Sequence, residues 1–402
     1  MNSTYKNIVE QCGTPTFAYS EETLLNNIRR VKKAVSVAGL EERVKIYVAY
    51  FANSNPHLFR ILTESGVGIT LQSIEEWHQL EQFGLEDSDI TVSPTALSDD
   101  DLDFFVDKKV KINVALPEEL EHCLQRTDKV GIRIDLSPEQ NQRTGIKIPE
   151  FEKIRRICSK SGKDLYAIHT YPGTGSNLDR LTYHAKDCIK TFHQFSGIKE
   201  INLGGGFAFD YESTDAEEKH FPWNEYFLEL DRLIKLYGIP EDIKISIEPG
   251  RDLLADAGEL IVKINRVHGR PHDGVQRIFT DGSYVYMPSA TIRERQHQLR
   301  FLDEHFDEME ETQVYGELSG CTTLSRDYLF PGIVRVPTKL SKGCYIIVRD
   351  VGAYGACEHL EFLNKRPASE VLIRKGGSIE LITERGGYID RLRYTLERPI
   401  RI

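Results

Sequence analysis

No stretch of this chain approaches the roughly 18 to 20 consecutive apolar residues that a membrane-spanning helix needs. The opening segment, MNSTYKNIVEQCG, lacks the basic and apolar regions of a signal peptide. Both absences lead to the expectation of a soluble, cytoplasmic protein with no membrane partner. Runs of Lys or Arg are missing too: 51 basic residues are scattered among 62 acidic ones, for a formal net charge of -11. That balance argues against a nucleic-acid footprint and an anionic membrane surface, and leaves small molecules or proteins as partners. The seven cysteines, Cys12, Cys123, Cys158, Cys188, Cys321, Cys344 and Cys357, are odd in number and widely spaced, with no CxxC. Neither a disulfide framework nor a zinc site is indicated, and free, mostly buried thiols are expected. At 402 residues the chain exceeds one ordinary core, so two domains or one large barrel with an appendage are expected.

The chain contains instead a repeating alternation. Between Val44 and Gly250 run eight short apolar segments: VKIYVAYFAN from Val44, VGITLQS from Val67, DITVSP from Asp89, VKINVAL from Val110, VGIRIDL from Val130, DLYAIHTY from Asp164, EINLGGG from Glu200 and IKISIEPG from Ile243. Several are nearly continuously apolar, as strands covered on both faces should be. Most intervals carry helical spacing; Leu178, Leu181, Ala185, Cys188, Ile189 and Phe192 fall on one stripe of a surface helix. Strand then helix, eight times over, predicts an α/β fold built as a parallel (β/α)8 barrel. No GxGxxG opens the first helix, which disfavours an open doubly wound sheet. After Arg251 the texture changes to GELIVKINRV, RIFTDGS, GCYIIVRDVGAYG, EVLIRKGG and SIELITERGG, which predicts a C-terminal, mainly antiparallel β domain. The expected division is a barrel with an N-terminal lead strand over 1–251 and a β-rich domain over 252–402. The charged stretch from Arg293 to Glu311 reads as a loop or exposed helix without chemistry of its own.

A barrel of this kind collects its chemistry at the carboxyl ends of its strands. Those ends carry Tyr50, Phe51, Ala52 and Asn53 on the first run, Arg133 on the fifth, and His169, Tyr171, Gly173 and Thr174 on the sixth. The seventh closes with Gly204, Gly205 and Gly206, and the eighth with Glu248, Pro249, Gly250 and Arg251. Three consecutive glycines let backbone N–H groups converge on an anion, and barrels commonly hold phosphate after strands seven and eight. A glycine triplet is also an ordinary tight turn. Glu248, at the end of an apolar strand, needs a partner such as a cationic ring nitrogen or Arg251; a purely structural Glu–Arg pair is the plainer reading. His169 and Tyr171 alternate with Thr170 and should face the same side, where either could stack on a flat ligand or serve as a hydrogen-bonded interior residue.

Taken together, TPTFAYS, AYFANSNP, GITLQSIEEW, VGIRIDL, HTYPGTGS, INLGGGFAFDY, ISIEPGRDLL, SGCTTLSRD and DVGAYGACEHLEFLNKRPASEVLI resemble the fold type III pyridoxal-phosphate decarboxylases, the group of diaminopimelate, ornithine and arginine decarboxylases. The resemblance spans essentially the whole chain. It implies an alanine racemase-like barrel followed by a β domain, a lyase ancestry, pyridoxal 5'-phosphate as cofactor, an amino acid or amine as substrate, and a homodimer. Carried over residue by residue, it implies that Gly204, Gly205, Gly206, Gly250, Arg251 and Tyr354 cradle the cofactor phosphate, with Thr174 where a phosphate-binding hydroxyl usually sits. It gives Glu248 the pyridine nitrogen, which the carboxylate keeps protonated.

The catalytic positions depart from the family pattern. Where A-x-K-A-N carries the Schiff-base lysine, this chain reads Ala49, Tyr50, Phe51, Ala52, Asn53. Lys45 lies six residues earlier, about 20 Å toward the other end of the barrel at roughly 3.3 Å per residue. The motif G-P-x-C-x-x-x-D maps onto Gly320 to Asp327, so Thr323 replaces the usual Cys and Leu324 the acidic residue after it. Cys321 lies two places early, with the wrong side-chain direction in this register. Tyr171 stands for the ring-stacking His, Thr70 for an acidic residue, and Met287 for an Arg. These changes imply either an atypical enzyme or a noncatalytic pseudoenzyme that binds a pyridoxal derivative, another phosphate ligand or a partner decarboxylase. A third reading is unrelated barrel chemistry on a phosphorylated substrate, with His169, Tyr171 or Glu248 as acid and base.

Overall fold

The computed structural model describes residues 2–137, 143–215, 217–269, 274–309, 313–393 and 395. Strand β1 (Thr16–Ser20) comes first. The next eight are β2 (Val44–Ala49), β3 (Gly68–Leu71), β4 (Ile90–Val92), β5 (Lys111–Val114), β6 (Val130–Ile134), β7 (Ala167–Thr170), β8 (Glu200–Asn202) and β9 (Lys244–Ile247). Then follow β10 (Gly258–Gly269), β11 (Val275–Thr280), β12 (Leu299–Leu302), β13 (Gln313–Ser319), β14 (Tyr328–Pro337), β15 (Tyr345–Val348), β16 (Ser369–Ile373) and β17 (Ile379–Thr383). The chain forms two compact units. One comprises Leu24–Asp210 and Ala216–Leu253; the other comprises Met1–Thr23, Tyr211–Asp215 and Leu254–Ile402.

In the first unit β2 to β9 close into a parallel barrel, and all eight runs read from the sequence supply its strands. Gly68, Ile69, Thr70 and Leu71 of β3 are buried throughout, as a strand walled by helices outside and side chains inside must be. Side-chain caps start several helices just past the strands. Asn55 accepts from His57 N before Pro56–Glu64, Ser73 from Glu76 N before Ile74–Gln82, and Asn177 from Arg180 N before Leu178–Thr191. Each cap satisfies an orphan N–H and turns the chain back down the barrel wall, and is worth about 1 kcal/mol. Helix Leu178–Thr191 buries Leu181, Ala185, Cys188 and Ile189 as its stripe predicts, and Phe192 begins a separate short turn.

Ionic side chains plug the amino-terminal end of the barrel. Lys45 Nζ donates to Asp89 Oδ2 at 2.9 Å, Tyr47 OH to the same oxygen at 2.9 Å, and Lys111 Nζ to Glu200 Oε2 at 3.1 Å. Lys45 is thereby fixed at the end remote from Phe51.

In the second unit the sheet order is β14-β13-β11-β10-β1-β16-β17, with β15 pairing β10 and β12. The expectation of a mainly antiparallel domain holds, and the sheet adds two parallel pairs: β1 runs parallel to β16 and β11 parallel to β13. The lead strand explains the first of these. β1 sits between β10 and β16, so the N-terminal segment completes this sheet and belongs to this unit. Helix Asn2–Cys12 lays Tyr5 and Ile8, three residues apart on one face, over a core that includes Ala18, Ile261, Ile347 and Val371. The stretch read as a loop or exposed helix contains β12, antiparallel to β15; its arginine and glutamate hide the strand, because Arg300 pairs with Glu308 along the exposed side at 2.8 Å. Residues 310–312 of that stretch lie outside the described residues. All seven cysteines are free thiols; Cys123, Cys188 and Cys344 are buried, and the other four are half-buried rather than interior.

Candidate active site

The carboxyl ends of the barrel strands converge on Glu248, which follows β9 and is 8% exposed. Its Oε1 accepts from Asn202 Nδ2 of β8 at 2.7 Å and from Ser93 Oγ, just past β4, at 3.4 Å. Asn113 of β5 donates in turn to Ser93 Oγ at 3.2 Å. The other carboxylate oxygen faces His169 Nε2 of β7 at 3.6 Å. At that separation the pair is an electrostatic contact and not a hydrogen bond, so both ring nitrogens of His169, buried at 2% exposure, make no hydrogen bond to protein. Burial works to raise the Glu248 pKa, but the His169 ring, the Asn202 amide and the Arg133 guanidinium outweigh it and hold the carboxyl below the ordinary range. The Glu248–Arg251 pair weighed from sequence does not form; the groups that face Glu248 are the His169 ring and the Arg133 guanidinium.

Arg133 reaches in from β6. Its guanidinium carbon lies 5.5 Å from the centre of the Tyr171 ring, within cation–π range, and burial pulls its pKa down against the attraction of Glu248. Tyr171 OH shares a 2.7 Å hydrogen bond with Thr174 Oγ1. Thr170 points the other way, to His184 Nδ1 at 3.1 Å, which is the strand alternation expected for His169 and Tyr171.

The glycine triplet is stitched to this wall on both sides. Glu248 N donates to Gly204 O at 2.7 Å, Ser176 N to Gly206 O at 2.8 Å, and Ala208 N to Ser176 O at 3.2 Å. The Thr174 loop and the glycines therefore form one rim. A Cβ on Gly204, Gly205 or Gly206 would run into the main-chain oxygens of Thr170, Glu248 and Gly173 respectively, and Gly204 and Gly206 have φ of +67° and +94°. Only glycine fits this cradle. Gly250 and Arg251 follow, both buried. Their loop is anchored by the fully buried Asp252, which accepts from Trp223 Nε1 at 2.7 Å, Phe221 N at 2.9 Å, His220 Nδ1 at 3.1 Å and Arg30 Nη2 at 3.1 Å. Ala49 N donates to Pro249 O at 3.2 Å, which sets the turn carrying Phe51 beside the Glu248–Arg251 loop. Tyr50 turns into the core, with its hydroxyl on Ser54 O at 2.8 Å and its ring against Phe59, and Phe51 is exposed.

Two of the residues singled out belong to the second unit. Tyr354 has φ of +57°, and its carbonyl accepts from Ser289 Oγ at 2.8 Å. Thr323 is exposed in the bend after β13, where Asp327 accepts from Ser283 Oγ and from Thr322 N. Cys321 turns its thiol onto Asp281 O at 3.3 Å, so it does not take over the direction of Thr323. Of the other family departures, Thr70 is fully buried with its hydroxyl unpartnered, and Met287 is buried ahead of helix Pro288–Ile292.

Sequence reading passed over Ser93, Asn113, Asn202 and Asp252. The signal was a polar residue at an inward position of an apolar strand run, as in EIN and INV. No cluster of three or more His, Cys, Asp or Glu suited to a metal occurs among the described residues.

The family model for the pyridoxal-dependent decarboxylase, pyridoxal binding domain, matches residues 22–255, more than half of the chain and the whole of the barrel. The chain belongs to the pyridoxal-dependent decarboxylase family. Diaminopimelate decarboxylase of Methanothermobacter thermautotrophicus is 24% identical, over 96% of this chain and 92% of the relative. That of Aquifex aeolicus is 25% identical over 95% and 92%. Among solved structures, diaminopimelate decarboxylase from M. jannaschii in co-complex with L-lysine superposes with a TM-score of 0.86 at 20% identity, covering 98% of this chain and 94% of the other. The Paramecium bursaria Chlorella virus arginine decarboxylase bound to agmatine gives 0.78 at 19%, covering 93% and 100%; both likenesses bear on the fold.

The cofactor this family implies is pyridoxal phosphate, and the barrel rim suits it. The cradle closed to any Cβ fits a phosphate, the buried and ionised Glu248 fits a cationic ring nitrogen, and the unbonded ring of His169 beside it offers a face to a flat heterocycle.

Proposed function

We propose that this protein holds pyridoxal phosphate noncovalently at the barrel rim and acts, as an atypical member of its family, on an amino acid or amine. The observation that carries this reading is a complete rim built around a missing lysine. The lysines on or just before the barrel strands, among them Lys45, Lys109, Lys111, Lys129, Lys163, Lys199 and Lys244, all stand at the amino-terminal edge. In the loops after the strands the sequence has two, Lys147 and Lys219. At the lysine position itself stands Phe51, which has no nucleophilic nitrogen.

Gly204, Gly205, Gly206, Gly250 and Arg251, with Thr174, would hold the phosphate. Glu248, kept ionised by His169, Asn202 and Arg133, would hold the pyridine nitrogen. When bound, the cofactor supplies an electron sink for a carbanion at the substrate α-carbon. The chain's part is orientation: Ser93 and Asn202 fix the Glu248 carboxylate, and Arg133 stacked on Tyr171 presents a cation to an anionic substrate group. Without a lysine to return a proton, turnover is slower by about 10² to 10⁴ than in a relative that has one. The curated relatives are diaminopimelate decarboxylases, which supports an amino acid as the substrate class. A homodimer is part of the same proposal.

A second reading, a noncatalytic cofactor-holding pseudoenzyme, is favoured by Thr323 and Leu324, which supply neither thiol nor carboxylate where the family pattern has both. Calorimetric titration with pyridoxal phosphate, on the intact protein and on Arg251→Ala, tests the shared core of the two readings. Binding that weakens by about tenfold or more in the variant supports it, and absent binding refutes it. Release of carbon dioxide or of an amine from supplied amino acids then separates enzyme from pseudoenzyme.

A further inference from the structure

The second unit contains a cavity of about 520 Å³ that plays no part in the account above. Its lining includes Lys365, Arg366 and Arg385 together with Asp281, Cys321 and Tyr388. In a chain of net charge -11 three cations converge on one hollow, and no carboxylate among the described residues lies within ion-pair distance of any of them. Elsewhere the arginines find such partners readily, as Arg300 does with Glu308 and Arg374 with Glu380. The one carboxylate in the lining is already engaged: Asp281 accepts from Thr14 Oγ1 on one oxygen and from Lys263 N at 2.8 Å on the other.

The cations are also held in place. Arg385 Nη2 is clamped by the carbonyls of Pro15 at 2.7 Å and Cys12 at 3.2 Å, while its Nε and Nη1 donate to no group among the described residues. The guanidinium carbon of Arg366 lies 3.9 Å from the centre of the Tyr388 ring, which fixes it by stacking and leaves most of its donors uncommitted. Lys365 stands beside the Cys321 thiol, opposing the effect of burial on it. Preorganised donors of one sign around a hollow, whose one carboxylate lies beyond ion-pair distance and is held by other donors, bind a complementary anion. We propose that this cavity is a binding site for a small dianion, a carboxylate- or phosphate-bearing molecule held by Lys365, Arg366 and Arg385.

Cys321 is a built-in reporter. The full-length protein is alkylated with iodoacetate and with iodoacetamide, and the rates at Cys321 and at the half-buried Cys158 are read by peptide mass mapping, with and without succinate or inorganic phosphate. The expected result is a preference for the anionic reagent several-fold larger at Cys321 than at Cys158, together with protection of Cys321 alone by an added anion. Protection by succinate points to a carboxylate ligand and protection by phosphate to a phosphorylated one. In Arg366→Gln and Lys365→Gln, whose side chains hold no ion pair among the described residues, the protecting anion should bind about tenfold more weakly. Protection by neither anion, or protection unchanged in both variants, overturns the proposal. Because the readout is at Cys321, phosphate captured at the barrel rim does not register.

Discussion

Adding one methyl group at Gly205 should separate a shaped cradle from a merely flexible turn. The new Cβ would sit against the main-chain oxygen of Glu248, while the backbone there does not require the left-handed conformation. Gly206 carries both burdens, φ of +94° and an encounter with the Gly173 oxygen, and Gly238 carries only the first, with φ of +62° and open space around the Cβ. An Ala in the left-handed region costs about 1–2 kcal/mol, and forcing a methyl into packed backbone about 1–3 kcal/mol. Gly238→Ala should therefore lose about 1–2 kcal/mol of stability, Gly205→Ala about 1–3 kcal/mol, and Gly206→Ala the sum, about 2–5 kcal/mol. Cofactor affinity should divide differently. Gly205→Ala displaces the Glu248 carbonyl, and with it a carboxylate that Asn202 and Ser93 hold, so its binding of pyridoxal phosphate should fall by tenfold or more, about 1.4 kcal/mol; that of Gly238→Ala should not change. Urea melts and calorimetric titration of the three variants measure both quantities. A Gly205→Ala protein as stable as its parent and binding equally well would refute the cradle.

Three further outcomes follow from the same structure. Phe51→Lys should create a covalent link to added pyridoxal phosphate that borohydride fixes at residue 51; if peptide mapping finds no adduct there, the turn does not face the cofactor. Burial, helped by Arg180, pushes the His184 pKa down to about 4, against about 6.5 in the unfolded chain. The unfolded chain thus takes up a proton between those values that the folded one refuses, and a contribution complete above about pH 6.5 is lost as pH falls toward 4, up to about 3 kcal/mol; His184→Gln should flatten this part of the stability–pH curve, and equal slopes would contradict the assignment. Asp252→Ala strips four donors of their acceptor and leaves Arg30 facing an empty site, which should cost about 3–5 kcal/mol, measured as a lower melting temperature together with weaker cofactor binding through the Arg251 loop.

The barrel was legible because its signal is local and repeated. A buried parallel strand needs a continuous apolar run, and β3 or β9 shows one whatever surrounds it. The mixed sheet was less so, since pairing β1 with β16 joins residues 353 apart, as Thr16 with Ser369, and nothing in TPTFAYS says which neighbour it will take. β12 escaped because its exposed edge alternates charge with apolar residues, and its partner β15 lies far along the chain. At the site, strand ends pointed to Glu248, His169 and the glycines. What holds Glu248 in place was hidden: Ser93 comes from just past β4 and Asn202 from β8, and their meeting is a property of barrel closure.

The most direct test is the absorbance spectrum of the purified protein with added pyridoxal phosphate, followed by borohydride reduction and peptide mass mapping. A bound cofactor that leaves no reduced adduct on any lysine is the predicted result. An adduct on one specific lysine, with Lys147 or Lys219 the two on the strand-end loops, would contradict noncovalent binding and show that another side chain has taken the place of the missing one.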